Sequence, residues 1–324
     1  MIDTSRRRDA VIALILFAAL ALAPALAQAL GAGYWISLLN RIMIFAIATL
    51  ALQLALGFGG MVSFGHAAFV GIGAYMTGIA VQEGYGDVLI ALPVTLLASA
   101  AFGAFAGMVS LKTRGVAFIM ITLAFGQMAY FFAQSLYLYG GDDGLTLSGR
   151  LTVAGLPLLE DRVTFYYVTF AVLALAYLFM RRLVASRFGR ALTGARDNAT
   201  RMASLGYDVT AIRLIAFVIS GMLASVAGML LANQTEFVSP AYLAWHRSGD
   251  LIFMAIAGGV GSLWGAIAGA AAFLLAEEGL SHLTEHWKAI FGLAIILFTL
   301  LTQGGLAGLM ERVLGSTRGE RPHG

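Results

Sequence analysis

Several residues in this chain are of types that could do chemistry. "HLTEH" (282–286) matches H-x-x-E-H, in which two histidines hold zinc and the glutamate acts as base. A catalytic zinc takes three protein ligands and a water. The next carboxylates, Glu311 and Glu320, follow another apolar run and so fall on the far side of a membrane. The segment is therefore read as a connection between two spans, and no metal site is assigned. Asp142 and Asp143, in "GGDDGLTLSGRL", lack the oxygen ligands spread over twelve residues that a calcium loop needs. An aspartate-glycine turn is expected there. His66 stands in "LGFGGMVSFGHAAFVGIGAY" (56–75), where an ionisable group at membrane depth is a candidate relay or ligand. Its place at a helix start beside Gly65 favours a structural role, satisfying backbone groups, with Ser63 capping the same helix. No cysteine occurs, which excludes thiolate zinc sites, disulfides and cysteine nucleophiles.

The elements that must carry these residues are membrane helices. Of 324 residues, 60% are hydrophobic and 11% charged, against about 25% charged in a soluble domain; mean hydropathy is +0.87. An all-α, polytopic integral membrane protein of about 8–10 spans is expected, as one domain over 1–324. Apolar runs place spans at 10–30, 35–56, 67–82, 88–110, 115–138, 163–180 and 211–232, then a broken pair at 249–257 and 263–276, then 289–303. The basic, apolar, small-residue start could be a signal peptide, but its apolar run is long enough to span and is expected to remain as the first helix. With a cytoplasmic amino terminus, fifteen Lys and Arg fall inside and five outside, so both termini are expected in the cytoplasm. That bias also accounts for the basic pI near 9.3 without nucleic acid.

Two of the spans are interrupted by glycine. "GGMVSFGHAAF" (59–69) and "GGVGSLWGAIA" (258–268) share a GGxxS pattern. Glycine-broken segments in corresponding halves point to a transport path, which makes Gly59, Gly60, Ser63, Gly65, His66, Gly258, Gly259, Gly261 and Ser262 candidates for it. A break at lipid depth is tolerated only where protein or water surrounds it. Gly261, Gly265 and Gly269 also recur at four-residue spacing, a small-residue packing face.

The longest basic stretch, 181–210, is read as one short amphipathic helix between two spans, with Phe188, Leu192, Ala195, Ala199 and Met202 on one face. Gly206 is placed to end it and Thr210 to cap the next span. An interfacial helix on lipid headgroups and a knob inserted into a protein groove both fit that pattern.

"GRALTGARDNATRMASLGYDVTAIRLIAFVISGMLASVAGML" resembles the coupling segment of branched-chain amino acid ABC-transporter permeases of the LivM type, with Gly189, Arg190, Ala195, Arg196, Leu205, Gly206, Ala216, Phe217 and Ser220 at matching places. Gly60, Ser63, Gly65, His66 and the run to Tyr75 resemble the same family's first signature, "GxxSxGHAAFxGIGAY". "GGDDGL" (140–145) resembles its external loop, and "GGVGSLWGAIAGA" (258–270) its late glycine motif. Gln53 stands where asparagine is usual, Ser225 replaces a glycine, and Arg41 lies in a normally apolar span. The resemblance covers roughly residues 35–308.

It implies a permease subunit of an ATP-driven importer for branched-chain amino acids or related small polar molecules, in a bacterial inner membrane and working by alternating access. It further implies a second permease of the LivH type, two cytoplasmic ATPases that bind ATP and magnesium, and a periplasmic substrate-binding protein. The chain itself is not an enzyme and holds no cofactor in this reading, in keeping with the absence of a G-x-x-x-x-G-K-S/T phosphate loop. Gly189, Arg190, Ala195, Arg196, Asp197, Arg201, Leu205 and Gly206 are then candidates for ATPase coupling, and Gly141, Asp142, Asp143 and Gly144 belong to a periplasmic loop spanning 139–162. An ion-coupled secondary transporter is the alternative; its spans would carry acidic groups, whereas every Asp and Glu here is expected in a loop or at a span end.

Overall fold

The computed structural model describes residues 2–29, 33–281, 289, 291–294, 302 and 304–315. The "HLTEH" segment and most of the expected span at 289–303 lie outside the described residues. The described helices are α1 (Ile2–Ala29), α2 (Gly33–Gln53), α3 (His66–Gln82), α4 (Val88–Ser110), α5 (Val116–Gln134), α6 (Arg162–Ala185), α7 (Arg187–Asp197), α8 (Ala199–Ser204), α9 (Val209–Thr235), α10 (Trp245–Gly258), α11 (Leu263–Ser281) and α12 (Gly305–Gly315). Six of the helical stretches are long and apolar enough to cross a membrane. The α2 stretch, run on to Phe58, is the most enclosed, with 83% of its apolar window buried, and α9 follows with 61%. In α4 and α5 only 22% is buried, which leaves these two at the periphery. The bundle is therefore built around α2 and α9.

Close approach between helices rests on glycine. The faces of α3 and α9 meet where Gly73 lies on the Ser225 carbonyl and Gly228 on the Val70 carbonyl, with no room for a Cβ on either glycine. Helices α10 and α11 meet in the same way through Gly258, Gly265 and Gly269. Gly261 does not share that face as the four-residue spacing predicts. It sits in the connection ahead of α11, at φ +86°.

Side-chain caps start three of the long helices. Asp87 caps α4 by accepting from the Leu89 amide (2.8 Å), and Asp161 caps α6 through the Thr164 amide (2.8 Å). For α9 the cap is Asp208, whose Oδ1 accepts from the Ala211 amide at 2.9 Å. Thr210 was the expected cap, but the helix begins at Val209 and leaves it inside the first turn.

Opposite ends of the bundle carry different machinery. At one end the 83–87 connection, the 139–161 segment and the stretch after α9 come together. Thr152 and Gly86 exchange a backbone bond (2.7 Å), and strands β1 (Leu145–Thr146) and β2 (Phe237–Val238) pair antiparallel, Leu145 against Val238. Gly140, Gly141 and Gly144 take positive φ in the turn that presents Asp142 and Asp143 to solvent, so the expected turn is what forms. At the other end lie α7, α8 and the first glycine break.

Candidate functional site at the paired glycine breaks

After Gln53 the second span widens into one π-helical turn, Leu54–Phe58, before the chain leaves helical geometry at Gly59 and Gly60. A π turn shifts the i→i+4 ladder, so carbonyls come free at the end of the helix. The Gly59, Gly60 and Met61 amides recover those of Leu54, Leu56 and Ala55 (2.8–3.1 Å). The Gly57 carbonyl instead accepts from Arg196 Nη1 of α7, at 2.6 Å. Gly60 turns at φ +67°, and a Cβ there would stand 2.7 Å from Arg196 Cγ.

The restart of the helix at His66 leaves amides that need acceptors. Gly65 occupies the N-cap and supplies no side chain. Ser63 is buried and accepts from the Gly65 amide (3.2 Å), which makes it a turn-former before the helix; it does not cap it as expected. The Phe64 and Ala67 amides are met from other helices, by Thr122 Oγ1 of α5 (3.2 Å) and Ser248 Oγ of α10 (2.9 Å).

His66 is fully buried. Its Nε2 lies 2.8 Å from Ser220 Oγ, and that hydroxyl donates to the Ala51 carbonyl at 2.6 Å. The one hydroxyl hydrogen being spent there, His66 Nε2 must be the donor to Ser220. Phe69 and Phe217 pack edge-on against the ring, at 5.5 and 5.6 Å. The group it meets is a serine hydroxyl and not the backbone groups expected. It joins α3 to α9 and, through Ser220, to α2.

The second break mirrors the first. Gly259 and Gly261 take φ +112° and +86°, and Ser262 Oγ accepts from the Gly265 amide (3.1 Å), much as Ser63 serves Gly65. Gln53 ties the two breaks together. Fully buried, it donates Nε2 to the Gly259 carbonyl (3.0 Å) and accepts at Oε1 from the Gly261 amide (2.9 Å). Gly57 is so close to Gly261 that a Cβ would lie 2.7 Å from the Gly261 nitrogen. The two GGxxS segments, separate in sequence, form one knot.

On the surface, the expected single helix is two. Asn198 ends α7 and caps α8 by accepting from the Arg201 amide at 2.9 Å. Ala191, Leu192 and Ala195 of α7 are buried, whereas α8 buries nothing. The coupling candidates divide accordingly. Gly189 lets α7 turn tightly against the Val184 carbonyl of α6, and the Ala195 carbonyl accepts from Arg213 Nη2 of α9 (3.0 Å). Arg196 reaches inward to Gly57 and also pairs with Asp197 (2.9 Å). Arg190, Arg201, Leu205 and Gly206 face outward, with Leu205 67% exposed. Gly206 ends α8 at φ +84°, as its place after Leu205 predicts.

Elements α2, α3, α9 and α10 also border an open cavity of about 270 Å³, lined by Arg41, Val70, Leu231, Gln234, Arg247 and Leu251 among others. Arg41 stands 3.8 Å from Glu277, and Arg247 is 3.4 Å from Asp250. Asp250 is the sixth residue of α10, deeper in its helix than a span starting at 249 predicts. Of the cavity, sequence reasoning singled out only Arg41. Arg247 was counted as a loop charge because no capping side chain marks the start of α10 at Trp245.

Comparison with known proteins accords with this architecture. Residues 34–300 match the branched-chain amino acid transport system permease component family. The chain is 28% identical over 307 residues to the LivM high-affinity branched-chain amino acid permeases of Salmonella typhimurium (strain LT2) and Escherichia coli (strain K12), covering 86% of this chain and 72% of each relative. It is 29% identical over 294 residues to the autoinducer 2 import permease LsrC of Enterobacter sp. (strain 638), covering 83% of this chain and 80% of that one. No solved structure matches. A multi-pass bundle with paired breaks, matched to one family over most of its length, belongs to the branched-chain amino acid transport system permeases.

Proposed function

We propose that the chain is the membrane-spanning subunit of an ATP-driven importer in a bacterial inner membrane, carrying branched-chain amino acids or related small polar molecules by alternating access. The observation that carries this reading is the bond from Arg196 to Gly57, which links a surface helix to a broken span. A second permease of the LivH type, two ATPases that bind ATP and magnesium, and a substrate-binding protein complete the assembly. With both termini cytoplasmic, α7 and α8 face the ATPases. Exposed Arg190, Arg201 and Leu205 then form the docking surface, while Asp142 and Asp143 face the binding protein.

In this mechanism ATPase closure moves α7, and Arg196 passes the displacement to the π turn. Gln53 passes it on to the second break, so that the helices on either side of both breaks rock together. The carrier alternative is not favoured: the family match is to importer permeases, and neither Asp250 nor Glu277 lines the cavity. Reconstitution of the chain with its partners in proteoliposomes should give ATP-dependent uptake that requires the binding protein. Gradient-driven uptake by the chain alone would refute the proposal.

A further inference from the structure

Arg41 is the one charged residue of α2. It is the ninth residue of α2, roughly 12 Å along the helix at about 1.5 Å per residue. A guanidinium at such depth is tolerated when it is paired or faces a polar cavity. Its pairing is weak: Glu277 lies 3.8 Å away, beyond a hydrogen bond, and the Phe45 ring centroid is 5.8 Å from its Cζ. Arg247 makes one long bond, 3.4 Å, to Asp250. Each guanidinium has five N–H donors, so among the described residues most of both forks remain uncommitted. Both arginines line the same cavity, and neither Asp250 nor Glu277 does.

The remaining wall is mostly apolar, with Val70, Leu231 and Leu251. Gln234 also lines it. That side chain donates Nε2 to the Ser37 carbonyl (2.8 Å), while its Oε1 is buried without a partner. The cavity thus presents cationic forks and an apolar surface. At about 270 Å³ it has room for a small solute.

We propose that this cavity is a binding station for a small carboxylate with an apolar body, the carboxylate being held between Arg41 and Arg247. The planar arginine fork matches two carboxylate oxygens at once. Val70, Leu231 and Leu251 receive the hydrocarbon. An uncharged amide of the same shape leaves the forks unmet. Transport through this station rests on the permease reading; binding at it does not.

The test is equilibrium binding to the full-length chain in lipid nanodiscs, with any permease partner that copurifies and without nucleotide. The probes are leucine, 4-methylpentanoate and 4-methylpentanamide. Both carboxylates should bind at least tenfold more tightly than the amide. Arg41→Gln and Arg247→Gln should each weaken carboxylate binding at least tenfold and leave the amide unchanged. Arg41→Lys, which keeps the charge and loses the fork, should fall between. Amide binding within twofold of the carboxylates, or no binding of either carboxylate, overturns the proposal, and that comparison needs no variant to fold. Because the assay uses neither ATPase nor binding protein, its outcome is independent of whether ATP-driven uptake is found.

Discussion

Arg196 on α7 donates to the Gly57 carbonyl at 2.6 Å, and its aliphatic stem fills the space where Gly60 lacks a side chain. One residue of the surface helix thus touches both sides of the first glycine break. The carbonyl is available because the helix has widened into a π turn. The stem fits because Gly60 has no Cβ, and the turn at φ +67° is one that other residues adopt at a cost. Removing the arginine leaves the bundle its other contacts but takes away the link between α7 and the break.

Arg196→Ala should therefore lower uptake about tenfold or more in the complete importer while ATPase assembly and basal ATP hydrolysis persist. A hydrogen bond to a charged group contributes about 1.5–3 kcal/mol when shielded, and this arginine is partly exposed, so the stability loss should stay at the low end. Arg196→Lys keeps the charge without the fork and should recover part of the coupling. Unchanged uptake in Arg196→Ala would remove the proposed link.

Gly60→Leu tests the same contact from the other side. The new side chain would meet Arg196 Cγ and take a strained positive φ. Overpacking costs about 1–3 kcal/mol, so both melting temperature and uptake should fall. Gly84→Ala is the control, since it also has positive φ (+80°) but nothing lies within 4 Å. Its stability loss should be smaller and its uptake normal.

Gln53 tests the coupling between the breaks. Gln53→Leu strands the Gly261 amide and the Gly259 carbonyl in a fully buried place. An unmet buried group costs about 1–3 kcal/mol. The variant should lose several degrees of melting temperature, and uptake should fall further than stability alone explains. Gln53→Asn retains the amide on a shorter arm and should lose less.

At the opposite end, Asp87 accepts from the Leu89 and Gly155 amides, both at 2.8 Å, and these bonds, that to Leu89 foremost, hold its carboxyl below the ordinary value of 3.8. A carboxyl whose folded pKa is depressed contributes stability above its unfolded pKa, and that contribution is lost as pH falls through the folded pKa. The protection of the 152–156 amides, taken relative to their intrinsic exchange rates, should consequently fall in acid, below the ordinary carboxylate range. Asp87→Ala should exchange fast at neutral pH and respond less to acid. Equal protection at all pH values would rule out this anchoring.

How much of this was legible in the sequence depends on range. Spans were legible because about 20 apolar residues are a local signal. The glycine breaks were legible too, because Gly59, Gly60, Gly259 and Gly261 are conspicuous in apolar surroundings. That the breaks touch was not, since Gln53 and Gly261 are 208 residues apart and nothing local pairs them. The split between α7 and α8 did carry a signal, Asn198 before Ala199, but the three- and four-residue periodicity running through it favoured one helix. Arg247 was lost to a boundary: without a capping side chain the start of α10 cannot be placed to within a turn from sequence.

His66 and Ser220 allow the structural assignment to be tested directly. If the histidine serves only to bond Ser220, either single change should remove the same interaction. His66→Ala opens a cavity beside Phe69 and Phe217 as well, so it should cost more than Ser220→Ala. In a double-mutant cycle read by thermal unfolding in nanodiscs, the combined loss should be less than the sum of the two by about 0.5–3 kcal/mol. A proton relay through His66 predicts a different pattern. Ser220→Ala would then shift the pH dependence of uptake at unchanged stability, whereas a structural bond lowers stability and leaves the pH profile in place. The Ser220 hydroxyl, whose Oγ donates to the Ala51 carbonyl at 2.6 Å, has its hydrogen committed there, which favours the structural outcome.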